Sequence, residues 1–433
     1  MAPPPAHVRL QDLSSAAPRP RLACGSHAQN IADGRGAPPL WSPGKEGQLT
    51  KTGAPLIVFA LLALPAQAFH RQTPPIVALT TSGDTSLPRS PAGRRLVIAL
   101  GASGRQIFVQ HRKGGQNTLE QVTTRGDNAN PTISQSGNVI AWDSDCALLG
   151  CPEPGRQIFM WAHGVTSQVT HDPTGSSVNP AFCLRATCLA FESHGDLAGV
   201  NPAGTTQIFL HGVDGSLSQV SQGQGASHNA GLDRAGQRIV FDSTGDLLGA
   251  DTGISQIWLL TPPGPVLFGM PSDPGGLQII THGLGPSQRP AIDNDGHVIA
   301  FESTADLTGD QHDTHVSQIF LYDVAMGTLT NVTNDPAGCA GASVNPTLAL
   351  RFGGGTFSIG YTCHGQGYFF QYGVGLGKHF QLPINGGDTV QVAALGSWFR
   401  VVSTTANMLG SGTTSGHQIY MLNLFKLPVT PLD

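Results

Sequence analysis

Short apolar runs of five or six residues recur along most of this chain, and each is closed by a polar residue of fixed kind. One class ends in an acid and a serine: VIAWDS at 139–144, LAFES at 189–193, IVFDS at 239–243 and VIAFES at 298–303. A second class opens on glutamine: Gln106-Ile107-Phe108, Gln157-Ile158-Phe159, Gln207-Ile208-Phe209, Gln256-Ile257-Trp258, Gln318-Ile319-Phe320 and Gln418-Ile419-Tyr420. The first four intervals between these glutamines are 51, 50, 49 and 62 residues, and the last, of 100, holds a worn copy near Tyr368-Phe369-Phe370. Two further phrases complete the unit. Asn130-Pro131, Asn179-Pro180, Pro290 and Asn345-Pro346 precede the acidic runs. Val122-Thr123, Val169-Thr170, Val220-Ser221, Ile280-Thr281 and Val332-Thr333 follow the glutamine runs. All four phrases are short, rich in β-branched and aromatic residues, and separated by Gly, Asn, Asp and Ser, which predicts four strands per unit.

The connectors set the pairing. Tight turns such as Ser136-Gly137-Asn138, Ala235-Gly236-Gln237 and Asp295-Gly296-His297 join the first strand to the second, and His163-Gly164 or Val213-Asp214-Gly215 joins the third to the fourth. Parallel strands need crossovers of a dozen residues or so, so these links require antiparallel neighbours, with Gly supplying the positive φ of hairpin turns. A four-stranded antiparallel unit repeating every ~50 residues cannot bury its apolar faces alone and marks a β-propeller blade. The expected fold is all-β: a seven-bladed propeller, with six blades as the alternative if a terminal copy is only a lookalike. Either 76–80 or 427–430 can supply the outer strand that completes the seventh blade and closes the ring.

Ser90-Pro91-Ala92-Gly93, Ile299-Ala300-Phe301 and Gln418-Ile419-Tyr420 resemble the TolB-type propeller repeat, whose usual phrase is an SPDG-like turn, an IAF strand and a QIY strand. The resemblance covers roughly residues 76–422 and implies the propeller fold. TolB places an α/β domain ahead of its propeller and none is expected here, so TolB's partners do not carry over. The propeller of prolyl-oligopeptidase-type peptidases is also similar, but no G-x-S-x-G elbow or hydrolase domain accompanies it.

Composition narrows the class. Charged residues make up 12% of the chain, about half the usual share, and a net charge of −5 without a basic stripe argues against nucleic acid. Residues 56–64 (LIVFALLAL) follow Lys45 and Lys51 and precede Ala66-Gln67-Ala68, the layout of a secretory leader and too short to span a bilayer. Residues 49–68 are therefore read as a signal peptide, with Leu49 as initiator at an alternative start codon. Residues 1–48 are a disordered or wrongly included extension, and 69–433 the propeller. Cysteine placement agrees with an oxidising compartment: Cys183 and Cys188 flank one hairpin turn, Cys146 and Cys151 share a loop, and Cys339 and Cys363 fall at the same end of one blade.

Candidate chemistry gathers on the face formed by the longer connections, since loops on a rigid scaffold carry function. The loops between second and third strands share Asp196-Leu197-Ala198-Gly199, Asp246-Leu247-Leu248-Gly249 and Asp306-Leu307-Thr308-Gly309. Their Asp can bind a cation or cap the loop backbone while Leu plugs the blade end; residues repeated in every blade usually build the blade. The same structural reading fits Asp143, Glu192, Asp242 and Glu302, as bonds to neighbouring backbone or to the repeated Gln. Histidines collect on this face (171, 194, 228, 282, 312, 315, 364, 417), densest at His312 and His315 beside Asp310 and Asp313, the candidate set for a divalent cation. No cofactor is otherwise expected. Residues 261–276 lengthen one third-to-fourth-strand link and carry Val266, Leu267, Phe268 and Met270, a candidate docking tip that could also fold back on the ring. The tripeptide Arg125-Gly126-Asp127 occupies an ordinary inter-blade loop.

Two functional classes follow. The first is an exported bacterial propeller, monomeric and non-enzymatic, periplasmic or secreted, that binds a protein or glycan through its long-loop face. The alternative is a secreted hydrolase or lyase with its site at the channel mouth. Export has a direct test. Cleavage after Ala68 should leave Phe69 as the N-terminus of the native protein, read by N-terminal peptide mass spectrometry. Peptides from residues 1–48 in the mature soluble form would refute it.

Overall fold

The chain divides into two units, Met1–Leu56 and Ile57–Asp433. The computed structural model describes residues 76–432 except 80–84, 87–95, 102–103, 114–115, 146–149, 184, 246, 249–252, 263–265, 268–269, 272–274, 310–315, 334–341, 349–356, 374–375, 395–398, 411–415 and 428. The leader and the residues ahead of it thus lie outside the described residues. What is described is strand and turn, in seven antiparallel blades forming a ring. Blades two to five each have four antiparallel strands: β6–β9 (Asn128–Ile133, Val139–Ser144, Gln157–Ala162, Val165–Gln168), β10–β13 (Ser177–Phe182, Cys188–Ser193, Gln207–Gly212, Leu217–Gln219), β14–β16 with β19 (Ser227–Leu232, Ile239–Ser243, Gln256–Thr261, Gly276–Ile279), and β20–β23 (Ser287–Ile292, Val298–Ser303, Gln318–Asp323, Thr328–Asn331). Among the described residues no helix is long and apolar enough to cross a membrane.

The continuous apolar character of the second strands follows from the ring. Each blade is covered on both faces by its neighbours, so no face alternates with water. In VIAWDS, Ile140 and Trp142 pack against Val97, Ala99 and Ile107 of blade one. Ala141, on the other face, packs against Phe191 and Phe209 of blade three. Seven apolar clusters result, one at each junction. The cluster joining blade seven to blade one sets Phe399, Val401, Ile419 and Met421 against Leu96 and Ile98.

Closure uses the N-terminal candidate. Strand β1 (Ile76–Ala78) pairs with β30 (Gln418–Asn423), register Ile76↔Leu422, and completes blade seven. The C-terminal candidate goes elsewhere: β31 (Thr430–Leu432) pairs with β27 (Leu376–Gln381) as a fifth strand on blade six. Blade six also reverses the expected loop pattern. Its second and third strands, Phe357–Cys363 and Gln366–Gly373, are joined by His364-Gly365 alone, with φ of 48° and 70°, the paired left-handed turn that matches strand twist. The register places Gln366 opposite Cys363, as Gln157 is opposite Ser144. The worn copy is therefore Gln366-Gly367-Tyr368, two residues earlier than its aromatic cluster suggests, and each blade has glutamine at this position.

That glutamine is a lock. In blade three Gln207 is fully buried. Its Nε2 donates to the carbonyls of Gly223 (3.1 Å) and Gly225 (3.1 Å), and its Oε1 accepts from Ser221 Oγ (2.6 Å). Ser221 Oγ in turn accepts from the Ile208 amide at 2.9 Å. The same hydroxyl relay, Ile amide to Thr Oγ1 to Gln Oε1, links Ile158, Thr170 and Gln157, and also Ile257, Thr281 and Gln256. One side chain thus ties the third strand to the end of the fourth and to the loop leading into the next blade, which explains why Gln and Val-Thr recur together. In blade six the backbone bond from Leu382 to Gly367 matches that from Val169 to Ile158, which puts Pro383 at the threonine position. Gln207→Leu, which strands a buried hydroxyl and two carbonyls, should cost on the order of 3 kcal/mol. Gln366→Leu, at a half-buried position without that hydroxyl, should cost under about 1 kcal/mol. Thermal and chemical unfolding of the two variants measures this; equal losses would refute the lock.

Candidate functional site

The innermost strands surround a cavity of about 290 Å³ lined by Asn130, Asn179, Arg289, Asn345, their following prolines and Gln391. The first strands of blades two to six each break register here, at Asn-Pro in blades two, three and six, at Asn229-Ala230 in blade four and at Arg289-Pro290 in blade five. Asn130, Asn179, Asn229, Arg289 and Asn345 hold φ of 47°, 54°, 59°, 51° and 57°, a left-handed conformation that Asn tolerates better than most residues and Arg does not. The bulge turns Asn130, Asn179, Asn229 and Arg289 toward the acid of their own second strand, while Asn345 Nδ2 donates to the Val390 carbonyl of blade seven (3.0 Å).

Those acids clasp neighbouring blades. Glu192 Oε1 accepts from Asn179 Nδ2 of its own blade (3.0 Å) and from the Asn229 amide of the next (2.9 Å). Asp143 does the same with Asn130 Nδ2 (2.9 Å) and the Asn179 amide (3.3 Å), and Asp242 with Asn229 Nδ2 (2.7 Å) and the Arg289 amide (3.1 Å). In blade five the guanidinium of Arg289 replaces the Asn amide against Glu302, while the Asn345 amide donates to Glu302 Oε2 at 2.7 Å. Burial raises the Glu302 carboxyl above the usual range, outweighing Arg289. The second oxygens are also used: Arg156 Nε donates to Asp143 Oδ2 (2.6 Å), and His228 Nδ1 lies 2.9 Å from Glu192 Oε2. The expected bond to neighbouring backbone is present; the repeated Gln bonds elsewhere. Register places Thr362, Ser403 and Ala99 at the acid position in blades six, seven and one. There Arg400, buried and lowered to about 10 by that burial, donates to Ser358 Oγ (3.1 Å) and stacks 4.5 Å over the Phe369 ring. Sequence reading missed Arg156, although Gly-Arg precedes Gln-Ile-Phe in blades one and two, and Arg400, which belongs to no repeated phrase.

On the long-loop face the Asp-Leu phrases cap and plug. Asp196 Oδ1 accepts from the Asn201 amide (2.7 Å) and Asp306 Oδ1 from the Gly309 amide (2.8 Å). Leu197, Leu247, Leu307 and Met408 pack on junction clusters. Three of the described histidines have separate local partners: His171 Nδ1 lies 3.2 Å from Glu153 Oε1, His194 Nε2 accepts from the Ser176 amide, and His228 is taken by Glu192. Asp310, His312, Asp313 and His315 lie outside the described residues. Asp127 of the Arg-Gly-Asp triplet is bound by Arg105 (2.9 Å) and Arg156 (3.2 Å), and Arg105 holds its carboxyl far below the usual range.

On the opposite, short-turn face Cys183 and Cys188 form a disulfide across their turn. Cys151 and Cys363 are also disulfide-bonded, while Cys146 and Cys339 lie outside the described residues. The 261–276 insertion forms a hairpin of its own. Val266–Leu267 (β17) pairs with Met270–Pro271 (β18), beyond a ladder that ends at Thr261↔Gly276. Phe268 lies outside the described residues.

No family model and no curated protein matches this chain. Among solved structures it is similar to a prolyl endopeptidase (12% identity over 86% of this chain and 53% of that one, TM-score 0.52). It is also similar to an oligogalacturonate lyase in complex with manganese (12%, 82% and 92%, TM-score 0.52). TolB from Acinetobacter baumannii is a further neighbour (13%, 67% and 64%, TM-score 0.42). The chain thus spans 64% of that TolB and 53% of that endopeptidase. At such identities the likeness to the endopeptidase and the lyase establishes one thing, the β-propeller fold.

Proposed function

We propose that this chain is an exported, non-enzymatic propeller that binds a protein or glycan through its long-loop face, with the blade-four hairpin as a second docking element on the short-turn face. The observation that carries the reading is a division of labour. The repeated polar side chains, acids and glutamines alike, are engaged in joining blades and loops. The loops above them present apolar side chains to solvent: Val200, Leu248, Leu409 and above all Leu284, 88% exposed. Apolar side chains on loops held by a rigid ring suit recognition, and the Cys183–Cys188 disulfide suits an oxidising compartment.

The test is capture from an envelope extract, and binding to a glycan array, by the immobilised protein. Leu248→Asp with Leu284→Asp should abolish retention of a specific ligand and leave the melting temperature unchanged, because both side chains are exposed. Retention unaffected by the pair would reject the long-loop face. The hairpin has a separate test. Replacing residues 262–275 by a turn like Val213-Asp214-Gly215 should keep the ring folded within a few degrees of the parent, since the Thr261↔Gly276 pairing already closes the ladder, and should reduce partner capture. Aggregation or a much lower melting temperature would make the hairpin part of the core instead.

A further inference from the structure

The first turns of blades two to five share one backbone motif with different side chains at its closing pair. In each, the amide of the first residue donates to the carbonyl five residues on: Ser134 to Val139 (2.9 Å), Cys183 to Cys188 (3.1 Å), Asp233 to Arg238 (3.1 Å) and Asp293 to Val298 (3.0 Å). At this pair of positions blade three has its disulfide. Blade four has an ion pair, Arg238 Nη1 to Asp233 Oδ2 at 3.7 Å. Blade five has an aspartate and a valine.

In blades four and five the aspartate is buried and caps the turn through one oxygen. Asp233 Oδ1 accepts from the Gln237 amide (2.8 Å), and Asp293 Oδ1 from the amides of His297 (2.6 Å) and Val298 (2.9 Å). The other oxygen separates them. Asp233 Oδ2 has Arg238. Asp293 is 2% exposed, and its Oδ2 has no hydrogen-bond donor among the described residues. Burial raises its carboxyl above the usual range. A buried carboxylate oxygen requires a partner, and in this turn the arginine that supplies one has become valine.

Two other substitutions accompany that loss. Where blade four has Ala235 and Gln237, blade five has Asp295 and His297. Both are exposed, and with Asp293 they bring three ligand atoms within 4.8 Å of one another, the one such group among the described residues. Gly296, at φ 70°, holds the turn tight, and the Asn294 carbonyl accepts from the Arg234 amide (2.8 Å), fixing it to the neighbouring turn. Arg238 packs beside Gly296, but its charge is matched by Asp233.

We propose that Asp293, Asp295 and His297 form a site for a divalent transition cation of the zinc class on the short-turn face, the ion taking the place that Arg238 fills one blade earlier. Two carboxylates and an imidazole are a donor set for zinc rather than calcium, with water completing the coordination. Asp293 is the fixed ligand; the exposed Asp295 and His297 swing in to close the site.

The experiment is calorimetric titration of the chelator-treated protein with zinc chloride, alongside thermal melting. The Asp295→Ala, His297→Ala double variant should bind zinc at least about ten-fold more weakly at one site. It should melt like the parent in chelator, since both side chains are exposed. Asp293→Asn keeps the capping oxygen and removes the charge. It should also lose zinc binding, with a chelator melting temperature equal to or above the parent's. Equal zinc affinity in parent and double variant, or a parent that takes up none at millimolar zinc, would overturn the site. Calcium binding there as tightly as zinc would overturn the zinc-class assignment.

Discussion

The constraint that orders this molecule is that every blade needs a neighbour on both faces. A sheet in a ring has no solvent side, so its two middle strands must be apolar throughout, as VIAWDS and QIFMWA are. What polar groups they retain must then be satisfied inside. The chain answers with two repeated devices at opposite ends of the radius. Near the axis, the second-strand acid accepts from its own Asn and from the backbone of the next blade. Farther out, the buried Gln joins third strand, fourth strand and departing loop. The left-handed bulge at Asn-Pro belongs to the first device, because without it neither the Asn amide nor the next blade's backbone N–H would meet the carboxylate.

The ring is uneven. The acid clasp spans the junctions from blade two to blade six and is missing at the acid position of blades six, seven and one. That arc also holds the first and last described strands, β1 and β31. Blade seven is completed by β1, and blade six carries β31 on its outer edge. Both devices cover edges that would otherwise be open to pairing with other chains. Arg400, without an acid opposite it in blade six, sits over Phe369 at the six–seven junction. Pairing β1 and β31 to adjacent blades gives this arc strand contacts where the side-chain clasps are missing.

The fold was legible because its signal is repetition. Six copies of a glutamine phrase at near-equal spacing, with turns too short for crossovers, leave an antiparallel ring as the consistent answer. The sequence did not disclose which terminal segment would close that ring, because a three-residue strand such as Ile76–Ala78 has no periodicity to read. Nor did it place the worn copy, where aromatic Tyr368-Phe369-Phe370 drew attention from Gln366. The clasp was half visible: the acids and Asn-Pro phrases recur, but the left-handed φ that brings them together is a backbone property. The blade-four insertion was visible as extra length, and its hairpin pairing was not. Of the histidines on the long-loop face, His171, His194 and His228 each have separate local partners, and the densest group, at His312 and His315, lies outside the described residues.

In a repeat protein, the internal copies serve as controls for one another, and this changes where chemistry should be sought. A side chain present in every blade is explained once its bond in one blade is known. A departure is informative when it removes a satisfied interaction and adds something else at the same place. Blade three replaces Ser134 and Val139 by a disulfide, a closure that works alone. Blade four replaces them by an ion pair. Blade five keeps the aspartate and drops the arginine, which by itself leaves a buried carboxylate oxygen unmatched. That unmatched oxygen, together with Asp295 and His297 at the two positions that can reach it, is why the short-turn face holds a claim to a bound ion.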